Sequence, residues 1–136
     1  MKRALLAIAI LAAGLASPIS AHHSTAMFDN QKLVILRGTI KSFSYLNPHS
    51  WISIVAAPEG TTAAKRWDVE LVSPVVLERM GITRETFRPG DKVVMGIRPL
   101  RDGRPGGAFV LAVTANGTPY GAKPAEVGVD PKRLRL

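Results

Sequence analysis

A chain of 136 residues has room for one domain and excludes a two-domain enzyme. Apolar residues make up 46% against 21% charged, which excludes wholesale disorder, and the lack of cysteine excludes a disulfide framework, a thiolate metal site and a thiol nucleophile. The formal net charge of +8 favours anionic partners without choosing among them.

The first element is an export signal over residues 1–21. Lys2 and Arg3 precede an apolar run from Ala4 to Leu15, and Ala16-Ser17-Pro18-Ile19-Ser20-Ala21 supplies a helix-breaking, small-residue cleavage region. The run is too short to span a bilayer comfortably, and no later stretch approaches about 20 apolar residues. The expectation is an exported, periplasmic protein with no membrane attachment after cleavage. Losing Lys2 and Arg3 lowers the balance from +8 to +6, still basic, and outside the cytoplasm nucleic acid is not an expected partner.

Residues 22–117 read as a β domain. From Leu33 the pattern is strand-like, with Val34, Leu36 and Ile40 on one face and Arg37, Thr39 and Lys41 on the other; the apolar phase then switches to Phe43 and Tyr45, which predicts a bulge following Gly38. Asn47-Pro48 breaks this strand, and Trp51-Ile52-Ser53-Ile54-Val55 makes the second, so residues 45–50 are a hairpin connection. Trp67, Val69 and Leu71 alternate with Arg66, Asp68 and Glu70 in the third strand. Ser73-Pro74, with Gly81 beyond, predicts a helix of about two turns with a serine N-cap and a proline at its first position. After the Arg88-Pro89-Gly90-Asp91 turn, residues 92–100 form a strand with Val93, Met95 and Ile97 on one face. Residues 101–107 are a hairpin loop, and residues 108–115 the last strand, with Phe109, Leu111 and Val113 on one face. Beyond Asn116-Gly117 no apolar periodicity remains, and residues 118–136, with Lys123, Lys132, Arg133 and Arg135, read as a mobile basic tail.

Three strands, a short helix and two strands, with a long bulged first strand, is the order of an all-β, five-stranded OB-like barrel, β-β-β-α-β-β. An open antiparallel sheet packed by one helix shares the pattern and differs in closure. Ala21-His22-His23-Ser24, Met27-Phe28-Asp29, Gly38-Thr39-Ile40, Asn47-Pro48-His49-Ser50-Trp51, Pro89-Gly90-Asp91 and the run from Pro99 through Asp102-Gly103-Arg104-Pro105 to Gly107 together resemble a bacterial family of small exported domains of unknown function, over roughly residues 21 to 117. The resemblance implies an exported bacterial domain whose two histidine motifs are family features; it supplies no catalytic or binding roles.

The three histidines carry the main chemical signal. Cleavage after Ala21 would make His22 the first residue, whose α-amino group and imidazole chelate one metal ion; an imidazole from His23 or His49 would complete a nitrogen-rich site suited to copper(II), nickel or zinc, with copper favoured. Cleavage after Ser20 would instead make His23 the third residue of Ala21-His22-His23, which wraps a square-planar copper or nickel ion. The bland reading is a frayed terminus and a loop histidine that caps or packs. Asp29 is either an added ligand or a turn residue.

The second candidate is the basic loop with Arg98, Arg101 and Arg104, which in an OB-like barrel borders the ligand face, where Tyr45 and Trp51 supply stacking surface. The same arginines also fit a solvated hairpin tip. Trp67 shares the phase of Val69 and Leu71 and reads as core, whereas Trp51 is out of phase with Ile52 and Ile54 and faces the other side beside His49. Ser50 beside His49 lacks a nucleophile elbow, and Asp68 with Glu70 on one strand face reads as the strand's wet side. The chain thus reads as a non-catalytic binding protein for a small ligand or a transition metal; the alternative is a cell-envelope module that holds an anionic polymer or protein on the arginine loop.

Overall fold

A computed structural model describes residues 25–136. The segment 1–21, with His22 and His23, lies outside the described residues.

The domain is a closed five-stranded β-barrel with one short helix. Its elements are β1 (Val34–Ser44), β2 (Ser50–Pro58), β3 (Lys65–Leu71), α1 (Pro74–Arg79), β4 (Lys92–Pro99), β5 (Gly106–Thr114) and a short β6 (Pro119–Gly121). Sheet order is β3-β2-β1-β4-β5-β6, and β3 also pairs with β5. That last pairing is parallel, Asp68 opposite Gly106, Val69 opposite Gly107 and Glu70 opposite Ala108, and it closes the sheet into the OB-like barrel. Closure brings backbones together at Gly106, where a Cβ would lie 3.0 Å from the Asp68 carbonyl oxygen of β3.

β1 is the long strand shared by both halves, pairing with β2 on one side and β4 on the other. Its register with β2 shifts between Ile40 and Ser42, so the bulge sits at Lys41 rather than directly after Gly38. The physical reason is that Leu36, Gly38 and Ile40 keep one phase, and only beyond Lys41 does the inward phase pass to Phe43 and Tyr45. Gly38 answers a different need: a Cβ there would lie 2.2 Å from the Val55 carbonyl oxygen and 2.5 Å from the Ala56 Cβ.

The inward faces form one buried cluster that includes Leu36, Ile40, Ile52, Ile54, Trp67, Val69, Val93, Met95 and Ile97. Each such side chain stabilises the fold by about 1.5–3 kcal/mol on transfer from water. α1 adds Leu77 to this cluster. Ser73 stands at its N-cap and Pro74 at its first position, but the Ser73 side chain makes no capping bond. The C-terminal end is closed by backbone bonds from Gly81 N–H to Glu78 O (3.0 Å) and from Ile82 N–H to Leu77 O (2.9 Å), which bury Ile82 against the same core.

The chain beyond Gly117 departs from the expected mobile tail. β6 pairs with β5, 3₁₀ turns follow at Pro124–Val127 and Pro131–Leu134, and Val129 and Leu134 are buried against Ile35, Val94 and Leu111. Ile35 and Val94 project from the side of β1 and β4 opposite Leu36 and Val93. Around Ile35 and Val94 the two strands are therefore apolar on their outer side as well, and the C-terminal segment covers that patch. No helix of the described residues is long and apolar enough to cross a membrane.

Candidate functional site

The outer face of β2 and β3 is built from two cross-strand rows. In one, Ser44 of β1, Trp51 of β2 and Glu70 of β3 lie side by side; in the next, Ser42, Ser53 and Asp68 do. Alternation along β2 buries Ile52 and Ile54 and turns Trp51 outward, where it is 44% exposed, while Trp67 in the inward phase of β3 is 8% exposed.

The hairpin between β1 and β2 delivers His49 to the end of this face. Ser50 is fully buried, and its hydroxyl accepts a bond from Leu46 N–H (3.3 Å) and donates to Leu46 O (3.4 Å), which pins the Leu46-Asn47-Pro48-His49 turn. The Asn47–Pro48 peptide is cis. His49 Nδ1 contacts the Glu70 carboxylate. A neutral His49 that donates from Nδ1 to this carboxylate carries its lone pair on Nε2, the tautomer that suits metal ligation.

The segment ahead of β1 runs along the same face. Arg101 holds it through Nε to Ala26 O (3.0 Å) and its backbone N–H to Met27 O (2.9 Å); Phe28 bridges Leu100, and Asp29 N–H donates to Pro99 O at 2.8 Å. Asp29 acts as a turn residue, accepting from Gln31 N–H and pairing with Lys32, whose hydrogen bond holds its carboxyl below the ordinary range. Met27 thereby lines two adjoining clefts. One, of about 450 Å³, also takes in Leu46, Pro48, His49, Trp51 and Glu70. The other, of about 340 Å³, takes in Trp51, Asp68, Glu70, Leu100 and Arg104. A third, of about 300 Å³, lies on the far side of Trp51 among Ser42, Ser44, Ser53, Arg66 and Asp68. Trp51 is the ridge common to all three.

The expected site residues thus separate. His49 and Trp51 share one cleft, and Arg104 borders the next. Tyr45 does not belong with them: it is 7% exposed, its hydroxyl lies 3.1 Å from Pro74 O and 3.3 Å from a Glu78 carboxylate oxygen, and its ring packs edge-on to Phe43 with the Arg84 guanidinium 5.2 Å from its centroid. Burial, then the Glu78 carboxylate, pushes its phenol pKa upward. It offers no free stacking face, because the shift at Lys41 puts residue 45 in the inward phase. Arg98 donates to Lys32 O at 2.9 Å and Arg101 to Ala26 O, so two of the three loop guanidiniums hold the chain's own backbone. Arg104 pairs with Asp102 across the hairpin tip at 2.8 Å, and the Asp102 carboxyl is lowered, first by the Arg104 backbone N–H and then by its side chain. Among the described residues no three His, Cys, Asp or Glu side chains cluster as a metal cage.

Glu70, Ser53 and Met27 are the site residues that alternation alone does not single out. Glu70 reads as the wet side of β3 until the register puts it opposite Trp51 and within reach of His49. Ser53 is 6% exposed, and its hydroxyl has no hydrogen-bond partner among the described residues.

Residues 9–109 match a family of unknown function, DUF6152. The chain belongs to that family. The matched span includes Trp51, His49, Glu70 and Arg104 and ends within β5, so the DUF6152 match stops short of β6 and the C-terminal segment. Neither the curated proteins nor the solved structures give a match.

Proposed function

We propose that this protein is an exported, periplasmic, non-catalytic binding domain that takes a transition-metal ion, copper, at the His49 end of the Trp51 face, with His22 and His23 as further ligands. The observation that carries this reading is the His49–Glu70 contact beside Met27. In this reading Glu70 takes the Nδ1 proton and leaves Nε2 to ligate, and such carboxylate partners are a regular feature of metal-binding histidines. His23 is two residues ahead of the Thr25–Met27 3₁₀ turn, and Met27 of that turn lines the same cleft, which makes the N-terminal arm the nearest source of a further imidazole in sequence. Two or three imidazoles with a terminal amine make a donor set that prefers copper(II) over zinc.

Native mass spectrometry of the exported, untagged protein titrated with copper(II) and zinc(II) tests this. One copper per chain held against a mild chelator is the expected result. Affinity should fall about 10–100-fold in Glu70→Gln, and further in His49→Ala and in a His22→Ala/His23→Ala double variant. Copper binding unchanged by His49→Ala would overturn the reading. An anionic partner on the arginine loop has less support, since Arg98 and Arg101 are engaged with backbone carbonyls. Such a partner would show steep salt dependence that depends on Arg104.

A further inference from the structure

We infer that the groove on the β1–β2 side of Trp51 binds a neutral carbohydrate chain, independently of any metal at His49. Three observations converge there. Trp51 offers an exposed indole at the edge of the groove, and a flat, amphipathic ring of this kind packs against the C–H face of a pyranose. Ser42, Ser44 and Ser53 bring three hydroxyls, each both donor and acceptor, to its floor and wall. Ser53 is the decisive one: it is more than nine-tenths buried, it lines the groove, and its Oγ has no partner among the described residues. A buried hydroxyl is nearly always paired, by protein, by water or by a ligand group that takes the water's place.

The remaining charge on the face selects the ligand class. Asp68 stands in the Ser53 row and Glu70 in the Trp51 row, and Arg66 Nε pairs with Asp68 at 3.2 Å. Carboxylates repel a phosphodiester backbone but accept well from sugar hydroxyls, and Arg66 donates to ring and glycosidic oxygens. The surface is therefore suited to an uncharged polyol and unsuited to single-stranded nucleic acid, the other ligand that stacks on aromatic groups of such barrels.

The test is a titration of the full mature protein with cellotetraose and with tetra-N-acetylchitotetraose, both uncharged, followed by tryptophan fluorescence and isothermal titration calorimetry. Trp67 is buried, so a saturable change in emission reports Trp51. The expected result is saturation by at least one of the two glycans with Kd on the order of 1 mM or tighter, as suits a shallow groove. Trp51→Ala should abolish the calorimetric signal. Ser53→Ala should weaken binding about tenfold while leaving the melting temperature unchanged or higher, because it removes a hydroxyl that nothing in the protein satisfies. His49→Ala should leave glycan binding intact, which separates this site from the metal site. No saturable response to either glycan, full binding by Ser53→Ala, or tighter binding of oligo(dT) than of both glycans would each overturn the inference.

Discussion

The carboxylate of Glu59 accepts two hydrogen bonds from the guanidinium of Arg133, at 2.9 Å from Nε and 2.5 Å from Nη2. Glu59 follows directly on β2, whereas Arg133 belongs to the last 3₁₀ turn of the chain. Arg37 of β1 joins them, reaching Glu59 at 3.2 Å and the Arg133 carbonyl oxygen at 2.5 Å. The C-terminal segment is thus clasped to the barrel by a polar cluster beside its apolar contact.

This clasp is expected to open in acid. The Arg133 hydrogen bond, then that of Arg37, holds the Glu59 carboxyl below its ordinary value. A carboxyl depressed in the folded state contributes stability that is fully present above its unfolded pKa and is lost as pH falls through the folded value. The clasp should hold at neutral pH and loosen below about pH 4. Hydrogen exchange of residues 129–134 should accelerate over that window beyond the intrinsic pH effect, and Glu59→Gln should show the faster, pH-insensitive opening at neutral pH.

Leu134 carries the apolar half of the same contact, buried with Val129 against Ile35, Val94 and Leu111. Leu134→Ala should cost about 2 kcal/mol, at the low end for a buried leucine because a short surface 3₁₀ turn relaxes into the space left behind. Urea denaturation gives the figure. The variant should also bind a hydrophobic dye such as ANS, since the outer faces of β1 and β4 lose their cover.

Gly38→Ala is expected to be among the most damaging single-methyl changes in the chain. The new Cβ would collide with backbone at Val55 and Ala56, which cannot swing aside like a flexible side chain. A loss of about 3 kcal/mol or more is expected, read from the thermal midpoint, with β1 and β2 exchanging faster than β4 and β5.

Tyr45→Phe separates a structural tyrosine from a ligand-binding one. The phenol hydroxyl bonds to groups on and around α1, so its removal should cost about 1 kcal/mol. Glycan and copper titrations of the variant should match those of the parent protein.

The barrel is legible in the sequence because its strands alternate cleanly and its breaks fall at Asn47-Pro48, Pro58, Gly60 and the Pro89-Gly90-Asp91 turn. The parallel closure of β3 on β5 is not written in any local pattern, since it joins residues about forty positions apart. The docked C-terminal segment escapes periodicity because its 3₁₀ turns are short and proline-led. Its trace lies elsewhere, in Val34-Ile35-Leu36 and Val93-Val94-Met95, runs that offer apolar side chains to both faces of the sheet and so require cover on both.

The candidate site was readable in part for the same reason. Trp51, out of phase with its strand, faces outward, and His49 lies beside it. Tyr45 misleads because its environment depends on where a single bulged residue falls. Glu70 and Ser53 gain meaning only through register, which sets one opposite Trp51 and the other between Ser42 and Asp68 in the groove.

The grip of Arg101 on Ala26 and Met27 has a practical corollary. Anything joined to the chain just ahead of Thr25, a purification tag or a reporter included, would leave the barrel at the Trp51 face and compete with the ligands proposed for it. A polyhistidine sequence placed there would supply its own copper ligands. Leu136 instead lies beside β5 and β6, with Val113, Thr114 and Pro119, so a label carried there leaves the Trp51 face clear.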